Sequence, residues 1–371
     1  MLNQEKQHEN KQKKYKCYVC KQPILVKHPH YQKLCYECGE FNEKKRLAKH
    51  NLSAYIALVT GGRTKIGYYT ALRLLRDGAR VIVTSRFPYN ALLSYIQEPD
   101  FEMWKDRIQI YGLDFRQLDK VEKFTYFLDQ HFPYIDIIIN NAAQTVRMSD
   151  EEYHALSLNE LELQKQLTSS QILQLTADEI PVSEFEDSNI ISSEFQSLQL
   201  FNREVELMSQ CSPQQNSWIA QPHQISVVEM LEVQVINVTA PFMINTKLKS
   251  AMLRSPNRNR FIINVSSAEG KFNMKRKGSY HVHTNMAKAS LNMMTLTMSK
   301  EYKKDRIFMT SVDPGWVSNQ IPEEAKSKTK IQLPLDFHDA AARICDPIYE
   351  GKDVEKPHTG VFFKDYQVVD W

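Results

Sequence analysis

Four of the six cysteines in this sequence form two closely spaced pairs near its N-terminus. Each pair has the spacing C-x2-C, 14 residues separate the pairs, and the four residues are Cys17, Cys20, Cys35 and Cys38. In a reducing compartment, thiols at this spacing are typical of a tetrahedral zinc site rather than of disulfides. Because four thiolates complete the coordination shell, the pattern predicts a structural Zn2+ ion rather than a catalytic one. Two histidines between the pairs, His28 and His30, are alternative ligands.

A second stretch that could form a binding site is "TGGRTKIG" (60–67), which follows an apolar run and opens a helical pattern. A turn from a strand into a helix offers backbone N–H groups and the positive end of the helix dipole to a pyrophosphate. Gly61 and Gly67 allow the tight turn and close packing. The stretch therefore predicts a dinucleotide site, while an ordinary glycine-containing βα turn is the alternative.

Polar residues stand at the ends of several other apolar runs. Asp114 ends one run, "NNAA" (140–143) ends a second, "NVSSAEG" (264–270) ends a third, and "DPGWVS" (313–318) follows a fourth. Open parallel sheets bind ligands at the carboxyl ends of their strands. We therefore expect these groups in one site, with the Asp114 carboxylate at an adenine amino group and residues 313–318 around a nicotinamide amide.

These side chains need a sheet to bring them together. From Ser53 onward, fully apolar runs alternate with helical patterns, which predicts an α/β fold: a Rossmann-like, doubly wound parallel sheet covered by helices on both faces. The predicted strands span residues 54–60, 80–85, 107–114, 135–140, 260–267 and 307–315, with an edge strand at 359–366. The predicted helices span residues 65–78, 117–131, 225–252 and 284–304.

Changes in composition divide the chain. Residues 1–14 are predicted to be a disordered basic tail, residues 15–50 a zinc-ribbon-like module, and residues 51–371 the Rossmann-fold dinucleotide-binding domain. An acidic insertion at about 145–225 interrupts the alternation, and Ser149 and Glu152 predict a capping box for a helix over 149–167. This insertion has three possible interpretations: a lid, an oligomerisation arm, or a segment without its own function.

The overall composition bears on binding to nucleic acids and to membranes. The net charge of +3 does not indicate nucleic-acid binding, and the lysines around the cysteines permit that role without showing it. The sequence has no secretory signal and no run of about 18 apolar residues, so we expect a cytoplasmic protein that does not span a membrane.

The motifs occur in the order found in one known family. "TGGRTKIG", "NNAA", "INVTAPF", "INVSSAEG", "KAS" and "DPGWV" resemble the motifs of the short-chain dehydrogenase/reductase family, over about residues 53–145 and 226–320. The resemblance implies an NAD(P)-dependent oxidoreductase acting on a small carbonyl or alcohol substrate. It also implies a homo-oligomer, paired through the helices that carry Asn237 and Lys288.

The resemblance assigns roles to individual residues. It makes Asn237 the active-site asparagine, Ser267 the serine that steadies the substrate oxygen, and Lys288 the lysine that holds the nicotinamide ribose. Residues that it implies as cofactor ligands are Thr60, Gly61, Gly62, Arg63, Lys65, Ile66, Gly67, Asn141, Ala142, Lys288, Pro314, Gly315 and Val317.

The position four residues before Lys288 departs from the family pattern. The family has a tyrosine there that exchanges a proton with the substrate, and this chain has Thr284, whose hydroxyl is a poor acid. On a continuous helix, Tyr280, Thr284 and Lys288 would form one stripe, so Tyr280 or His283 is an alternative proton donor. A water polarised by Ser267 and Lys288 is a third possibility.

Cations near the glycine turn bear on the choice of cofactor. Lys65 replaces the middle glycine of the family turn, and Arg86 follows the second predicted strand, where the family often has a cation for a 2′-phosphate. No carboxylate stands at Thr84 or Ser85 to bind the ribose hydroxyls of NAD. Together with Arg63, these residues favour NADP over NAD.

Three functions remain open from the sequence. The first is an NADP-preferring oxidoreductase. The second, favoured by Thr284 and Lys65, is a catalytically silent NADP(H)-binding protein whose zinc ribbon and insertion bind a protein partner. The third is a zinc-ribbon nucleic-acid binder that carries a vestigial Rossmann domain.

Overall fold

The computed structural model describes residues 15–167, 217–274, 277–318 and 332–371. Its strands are β1 (Ile56–Thr60), β2 (Arg80–Ser85), β3 (Ile108–Gly112), β4 (Ile137–Asn140), β5 (Arg260–Val265), β6 (Ile307–Asp313), β7 (Val361–Lys364) and β8 (Gln367–Val369). They form a sheet in the order β3-β2-β1-β4-β5-β6-β7-β8, in which β1 to β7 are parallel and β8 is antiparallel to β7. The strand order reverses direction between β1 and β4, and such a switch point opens a ligand crevice at the carboxyl ends of the strands.

Helices cover both faces of this sheet, as the sequence predicted. They are α1 (Tyr36–Leu47), α2 (Lys65–Arg76), α3 (Pro88–Ile96), α4 (Leu118–His131), α5 (Asp150–Gln166), α6 (Val227–Gln234), α7 (Ala240–Lys247), α8 (Lys249–Leu253), α9 (Val282–Tyr302) and α10 (Phe337–Gly351). On one face, Leu72 of α2 and Ile344 of α10 pack in a buried cluster with the sheet. On the other face, Phe124 of α4 and Ile244 of α7 form a second cluster. The fold is therefore Rossmann-like and doubly wound.

The C-terminal elements differ most from the sequence prediction. Residues 359–366 were predicted as the edge strand, but β7 lies inside the sheet because β8 turns back along it. Asp365 and Tyr366, with φ of 49° and 65°, form the left-handed turn between the two strands. The preceding helix α10 was not predicted, and its interior Pro347 is a residue that normally breaks a helix.

The acidic insertion begins with the helix that the sequence predicted. The Ser149 Oγ accepts from the Glu152 N–H, the Glu152 carboxylate accepts from the Ser149 N–H, and both distances are 3.2 Å, which confirms the capping box. Further along α5, the Glu160 carboxylate accepts from the backbone N–H groups of Tyr89 and Asn90, in the first turn of α3, at 2.5 and 3.0 Å. This contact attaches the start of the insertion to the main domain. The remainder of the insertion over 168–216, and the basic tail over 1–14, lie outside the described residues.

One continuous helical segment, Val227–Lys247, is long and apolar enough to cross a membrane by length and composition. It is not an unbroken apolar run, because Glu229, Glu232 and Asn237 interrupt it. Within this segment, Val233, Ala240 and Ile244 are buried, and the last two pack against the sheet. These positions are those of a core helix of the doubly wound fold.

The cysteine module packs directly against α10. The Tyr31 hydroxyl donates to Asp339 at 2.6 Å, Lys45 donates to Asp346 at 2.6 Å, and Arg46 donates to Asp336 at 2.6 Å. Arg73 of α2 donates to the backbone oxygens of residues 45, 46 and 48, at 2.7 to 2.9 Å. Because the last carbonyl groups of a helix lack intrahelical partners, this guanidinium stabilises the C-terminus of α1.

Candidate functional site

A cavity of about 860 Å3 runs along the carboxyl ends of the strands. It extends from the glycine turn after β1 and the ends of β2 and β3 to the segments that follow β5 and β6. The predicted site residues that line it are Gly61, Arg63, Lys65, Ile66, Gly67, Arg86, Asp114, Asn141, Ala142, Ser267, Thr284, Lys288, Pro314, Gly315 and Val317. The fold thus brings into one cleft residues that are separated by more than 200 positions in the sequence.

The glycine turn and the "NNAA" segment form one hydrogen-bonded unit. The Thr60 Oγ1 accepts from the backbone N–H groups of Asn141 and Ala142 at 3.0 Å each, and the Asn141 side chain donates to the Thr60 and Gly61 carbonyls. A Cβ at Gly67 would lie 2.2 Å from the Gly61 oxygen, so this position accepts glycine alone. Thr60 and Gly62 are buried and support the turn without lining the cleft.

Lys65 occupies the position of the family's middle glycine and has a left-handed backbone, with φ of 54°. A residue with a Cβ in this conformation costs about 1 kcal/mol relative to glycine, which explains the family preference. The side chain is exposed at the start of α2 and lines the cleft. A cation therefore stands at the helix N-terminus, where a phosphate would be favoured by the helix dipole as well.

The end of the cleft near β2 and β3 contains more cations than the sequence indicated. Arg63 donates to Asn90 at 2.9 Å, and burial, followed by the neighbouring charge of Arg86, lowers its pKa. Arg116 donates to both carboxylate oxygens of Asp114, with a closest distance of 2.6 Å. Burial alone would raise the Asp114 pKa, but the hydrogen bond and charge of Arg116 lower it overall.

This pairing changes the expected role of Asp114. The predicted carboxylate lines the cleft, but two of its acceptor sites are already used by Arg116. Arg116 follows two residues after Asp114, and this short spacing was an available signal. Tyr153 of α5, which lies against Arg86 and Arg116 at 5.8 and 5.4 Å, comes from the insertion and had no sequence signal.

The other end of the cleft contains three of the predicted catalytic residues, one just after β5 and two on α9. Ser267, Thr284 and Lys288 all line it. The Lys288 Nζ donates to the Val265 carbonyl at 2.8 Å, and burial lowers the pKa of this lysine to about 8 although Asp313 opposes the shift. The Thr284 hydroxyl is buried and has no hydrogen-bond partner among the described residues.

Asn237 lies beside the cleft rather than on its wall. It sits in a π-helical turn, Val235–Thr239, that joins α6 to α7. Its side-chain oxygen accepts from the Gln144 N–H at 2.8 Å, and its amide donates to the Gln144 carbonyl at 3.0 Å. Both ends of the amide are therefore used to hold the segment after "NNAA", and Gln144 itself lines the cleft.

The two alternative proton donors do not line the cleft. The expected stripe of Tyr280, Thr284 and Lys288 was wrong, because α9 begins at Val282 and Tyr280 precedes it, with 42% of its surface exposed. His283 is fully buried, and its Nε2 lies 3.8 Å from the Glu229 carboxylate. Burial lowers the His283 pKa, and neither ring nitrogen has a hydrogen-bond partner among the described residues.

The segment after β6 is fixed by Asp313. Its carboxylate accepts from the Gly315 N–H at 2.8 Å, from the Ala268 N–H at 3.1 Å and from the Lys364 ammonium at 2.9 Å. Burial would lower the pKa of Lys364, but the negative charge of Asp313 raises the pKa of this lysine overall. Trp316, within the segment 313–318 expected at the cofactor, lines the cleft. Lys364 also lines it and was missed by the sequence analysis, because β7 was not placed beside β6.

The four predicted metal ligands come together in the N-terminal module. The sulfur atoms of Cys17, Cys20, Cys35 and Cys38 all lie within 4.8 Å of one another, which is the arrangement that a tetrahedral ion needs. Hydrogen bonds from backbone amides lower the Cys17 pKa to about 7 against the effect of burial, whereas burial raises the Cys35 pKa to about 11 and also raises the Cys38 pKa. His28 does not join this cluster, since its Nδ1 accepts from the His30 N–H and its Nε2 faces Glu40 at 3.1 Å.

Comparisons with known proteins agree with this architecture. The profile of the family described as short chain dehydrogenase matches residues 55–169 and 216–330, more than half of the chain. An uncharacterized protein of Acanthamoeba polyphaga mimivirus is 32% identical over 352 residues, which cover 90% of this chain and 71% of that protein.

Solved structures share the fold at low identity. The Pseudomonas aeruginosa RhlG/NADP active-site complex is 18% identical, with a TM-score of 0.55 over 84% of this chain and 94% of that chain. The carbonyl reductase Sniffer of D. melanogaster is 16% identical, with a TM-score of 0.54 over 86% of this chain and 99% of that chain. Because the family profile matches more than half of its length, this chain belongs to the short-chain dehydrogenase family.

Proposed function

We propose that this protein is an NADP(H)-dependent oxidoreductase that interconverts a small carbonyl compound and its alcohol. The observation that carries the proposal is the convergence of Ser267, Thr284 and Lys288 at one end of a cleft whose other end is the glycine turn. Bound NADPH would supply a hydride. The residues of this chain would position the substrate carbonyl and deliver a proton to its oxygen.

The proton route differs from that of a tyrosine enzyme. A tyrosine hydroxyl is replaced here by Thr284, and neither Tyr280 nor His283 lines the cleft. We propose that Lys288, with a pKa of about 8, donates the proton through a water that hydrogen-bonds to Ser267. An ammonium has three donors, and the Val265 carbonyl uses one of them, so two remain for this role.

The cations at the β2 and β3 end support NADP rather than NAD. Arg63, Arg86 and the exposed Lys65 all line the cleft, and Thr84 and Ser85 offer no carboxylate to the ribose hydroxyls. A 2′-phosphate would pair with the Arg86 guanidinium and offset the repulsion between Arg63 and Arg86, which adds to the effect of burial in lowering the Arg63 pKa. The RhlG structure of the same fold contains NADP, in keeping with this choice.

The cysteine cluster fits a structural Zn2+ ion with four thiolate ligands. Four protein ligands leave no coordination site for substrate, so this metal would stabilise the module rather than take part in hydride transfer. A cytoplasmic location, a homo-oligomer and a protein partner for the module are further expectations that accompany this proposal.

Thr284 favours a second candidate function, a catalytically silent NADP(H)-binding protein. Its hydroxyl is a much weaker acid than a tyrosine hydroxyl, and it has no hydrogen-bond partner among the described residues that would activate it. In that case the cleft would bind the dinucleotide, and the module or the insertion would report its presence to a partner protein.

One experiment separates the two functions. Purified protein is titrated with NADPH and with NADH by nicotinamide fluorescence, and NADPH oxidation is then followed with a panel of aldehydes, ketones and enones. The oxidoreductase proposal expects tighter binding of NADPH and turnover that is lost in Ser267→Ala. Tight NADPH binding without oxidation of any substrate would support the silent protein, and failure to bind either dinucleotide would refute both.

A further inference from the structure

The cysteine module reaches into the cleft through one side chain. Among the described residues of the module, Tyr18 lines the cleft, and it lies between the metal-ligand candidates Cys17 and Cys20. Its backbone N–H donates to the Lys33 carbonyl at 2.9 Å, close to the second cysteine pair. The position of Tyr18 therefore depends on both halves of the module.

The Tyr18 hydroxyl contacts the segment that follows β6. It accepts from the Trp316 N–H at 2.9 Å, one residue after Gly315. Gly315 has a left-handed φ of 88°, and a Cβ there would lie 2.6 Å from Leu335 and 3.7 Å from the Tyr18 hydroxyl. The hydrogen bond thus holds a tightly turned backbone segment that has little space to change its conformation.

A shared apolar core joins the module to the same segment. Cys17, Tyr31 and Leu34 are buried in one cluster with Val317 and Leu335. Val317 is one of the predicted cofactor residues and is 4% exposed. A metal-ligand candidate and the wall of the cleft therefore pack against each other, because residues 313–318 lie between the sheet and the module.

We propose that the metal-binding module is a structural part of the dinucleotide cleft, with Tyr18 as a positioning residue that fixes residues 313–318. A short module with two cysteine pairs depends on its metal for a defined fold. Metal at the four cysteines then places Tyr18, Tyr18 holds the Trp316 N–H, and the segment keeps the shape that receives the dinucleotide. This inference rests on the proposed function, since it assumes that NADPH binds in the cleft.

Such coupling acts in both directions. If metal binding raises the affinity for NADPH by some factor, NADPH must raise the affinity for the metal by the same factor. Loss of the Tyr18 hydroxyl leaves one backbone N–H without its acceptor, so we expect Tyr18→Phe to weaken NADPH binding about fivefold. The same change should remove most of the protection that NADPH gives to the metal.

The test uses the full-length, zinc-loaded protein. NADPH dissociation constants are measured by fluorescence for the wild type, for Tyr18→Phe and for the matched control Tyr15→Phe, an exposed tyrosine of the same module that does not line the cleft. The equilibrium affinity for zinc is measured by competition with the chromophoric chelator 4-(2-pyridylazo)resorcinol, with and without saturating NADPH. We expect NADPH to raise the zinc affinity of the wild type and of Tyr15→Phe, and to have little effect on that of Tyr18→Phe.

The outcomes distinguish this inference from the function on which it rests. If the wild type binds no NADPH, the proposed function is wrong and the inference falls with it. If the wild type binds NADPH but the dinucleotide does not change its affinity for zinc, the inference alone is overturned. That second measurement needs no variant, so it decides the matter even if Tyr18→Phe does not fold.

Discussion

The ammonium of Lys288 donates to the main-chain oxygen of Val265 at 2.8 Å, across the boundary between α9 and the end of β5. Both Lys288 and Ser267, two residues after Val265, line the cleft. Burial makes the charged form costly and lowers the pKa of Lys288 from its usual 10.5 to about 8. The charge of this lysine therefore changes in a range that is accessible to experiment.

The first prediction concerns pH. Lys288 is charged below about pH 8 and neutral above it, so its attraction for an anionic dinucleotide is present at neutral pH and is lost as the pH rises through about 8. We expect NADPH binding to weaken several-fold between about pH 7 and pH 9.5. Fluorescence titrations across this range check it, and Lys288→Met should show weak binding with a flat profile.

Stability of the unliganded protein provides the second prediction. The folded-state pKa of Lys288 lies below the unfolded value, so the unfolded chain binds more protons between about pH 8 and 10.5. The free energy of unfolding should therefore gain a favourable contribution from this lysine as the pH rises over that interval. Urea unfolding of the wild type minus that of Lys288→Met isolates the effect, and a difference that falls with rising pH would contradict the lowered pKa.

A third prediction follows from the hydroxyl of Thr284. Thr284→Tyr places a more acidic hydroxyl four residues before Lys288, where the buried ammonium would lower its pKa further. If proton transfer limits turnover, we expect kcat to rise about 100-fold, the usual scale of general acid catalysis. Thr284→Phe supplies the ring without the hydroxyl as the control. An equal rate in both variants, with NADPH still bound, would show that another step is limiting.

The choice of dinucleotide gives a fourth prediction. Arg86 lines the cleft beyond β2, whereas Arg80 is exposed at the opposite end of the same strand. We expect Arg86→Ala to weaken NADPH binding about tenfold and to leave NADH binding almost unchanged, because only NADPH carries the 2′-phosphate. Arg80→Ala is the matched control and should alter neither. If Arg86→Ala weakened the binding of NADPH and NADH equally, Arg86 would not be the residue that recognises the 2′-phosphate.

The cysteine cluster gives the fifth prediction. Metal analysis of the purified protein should find about one zinc per chain, and Cys38→Ser should lose it and lower the melting temperature by about 5 °C or more. Burial raises the pKa of Cys345 in α10 to about 12, so this cysteine is a neutral thiol outside the cluster. Cys345→Ser should keep its zinc, whatever its effect on stability. Retention of zinc by Cys38→Ser would argue against the four-cysteine site.

Much of the cleft was predictable because its residues belong to short local patterns. The apolar runs predicted the parallel strands to within a few residues, and the capping box of Ser149 and Glu152 formed as the spacing indicated. The glycines of residues 60–67 predicted the tight turn after β1. In the structure, Asn141 of the "NNAA" segment hydrogen-bonds to this turn. Local sequence is sufficient in these cases because strand burial, helix capping and left-handed turns depend on a few neighbouring residues.

Tertiary structure decided the rest. A left-handed backbone at His281, with φ of 44°, starts α9 after Tyr280 and removes that tyrosine from the expected stripe. Asn237 binds the Gln144 backbone instead of lining the cleft, and Asp114 is already paired with Arg116. No local pattern contains this information, because each contact depends on which distant segment packs alongside.

The same distinction applies to the N-terminal module. By itself, the sequence determined two cysteine pairs with the spacing of a metal site and a dinucleotide fold that follows them. Only the folded chain places Tyr18 against Trp316, 298 positions away, because α10 and β7 provide the surface on which the module docks. The module docks through packing and hydrogen bonds between segments that are far apart in the chain. Such long-range contacts cannot be read from composition or from the spacing of residues.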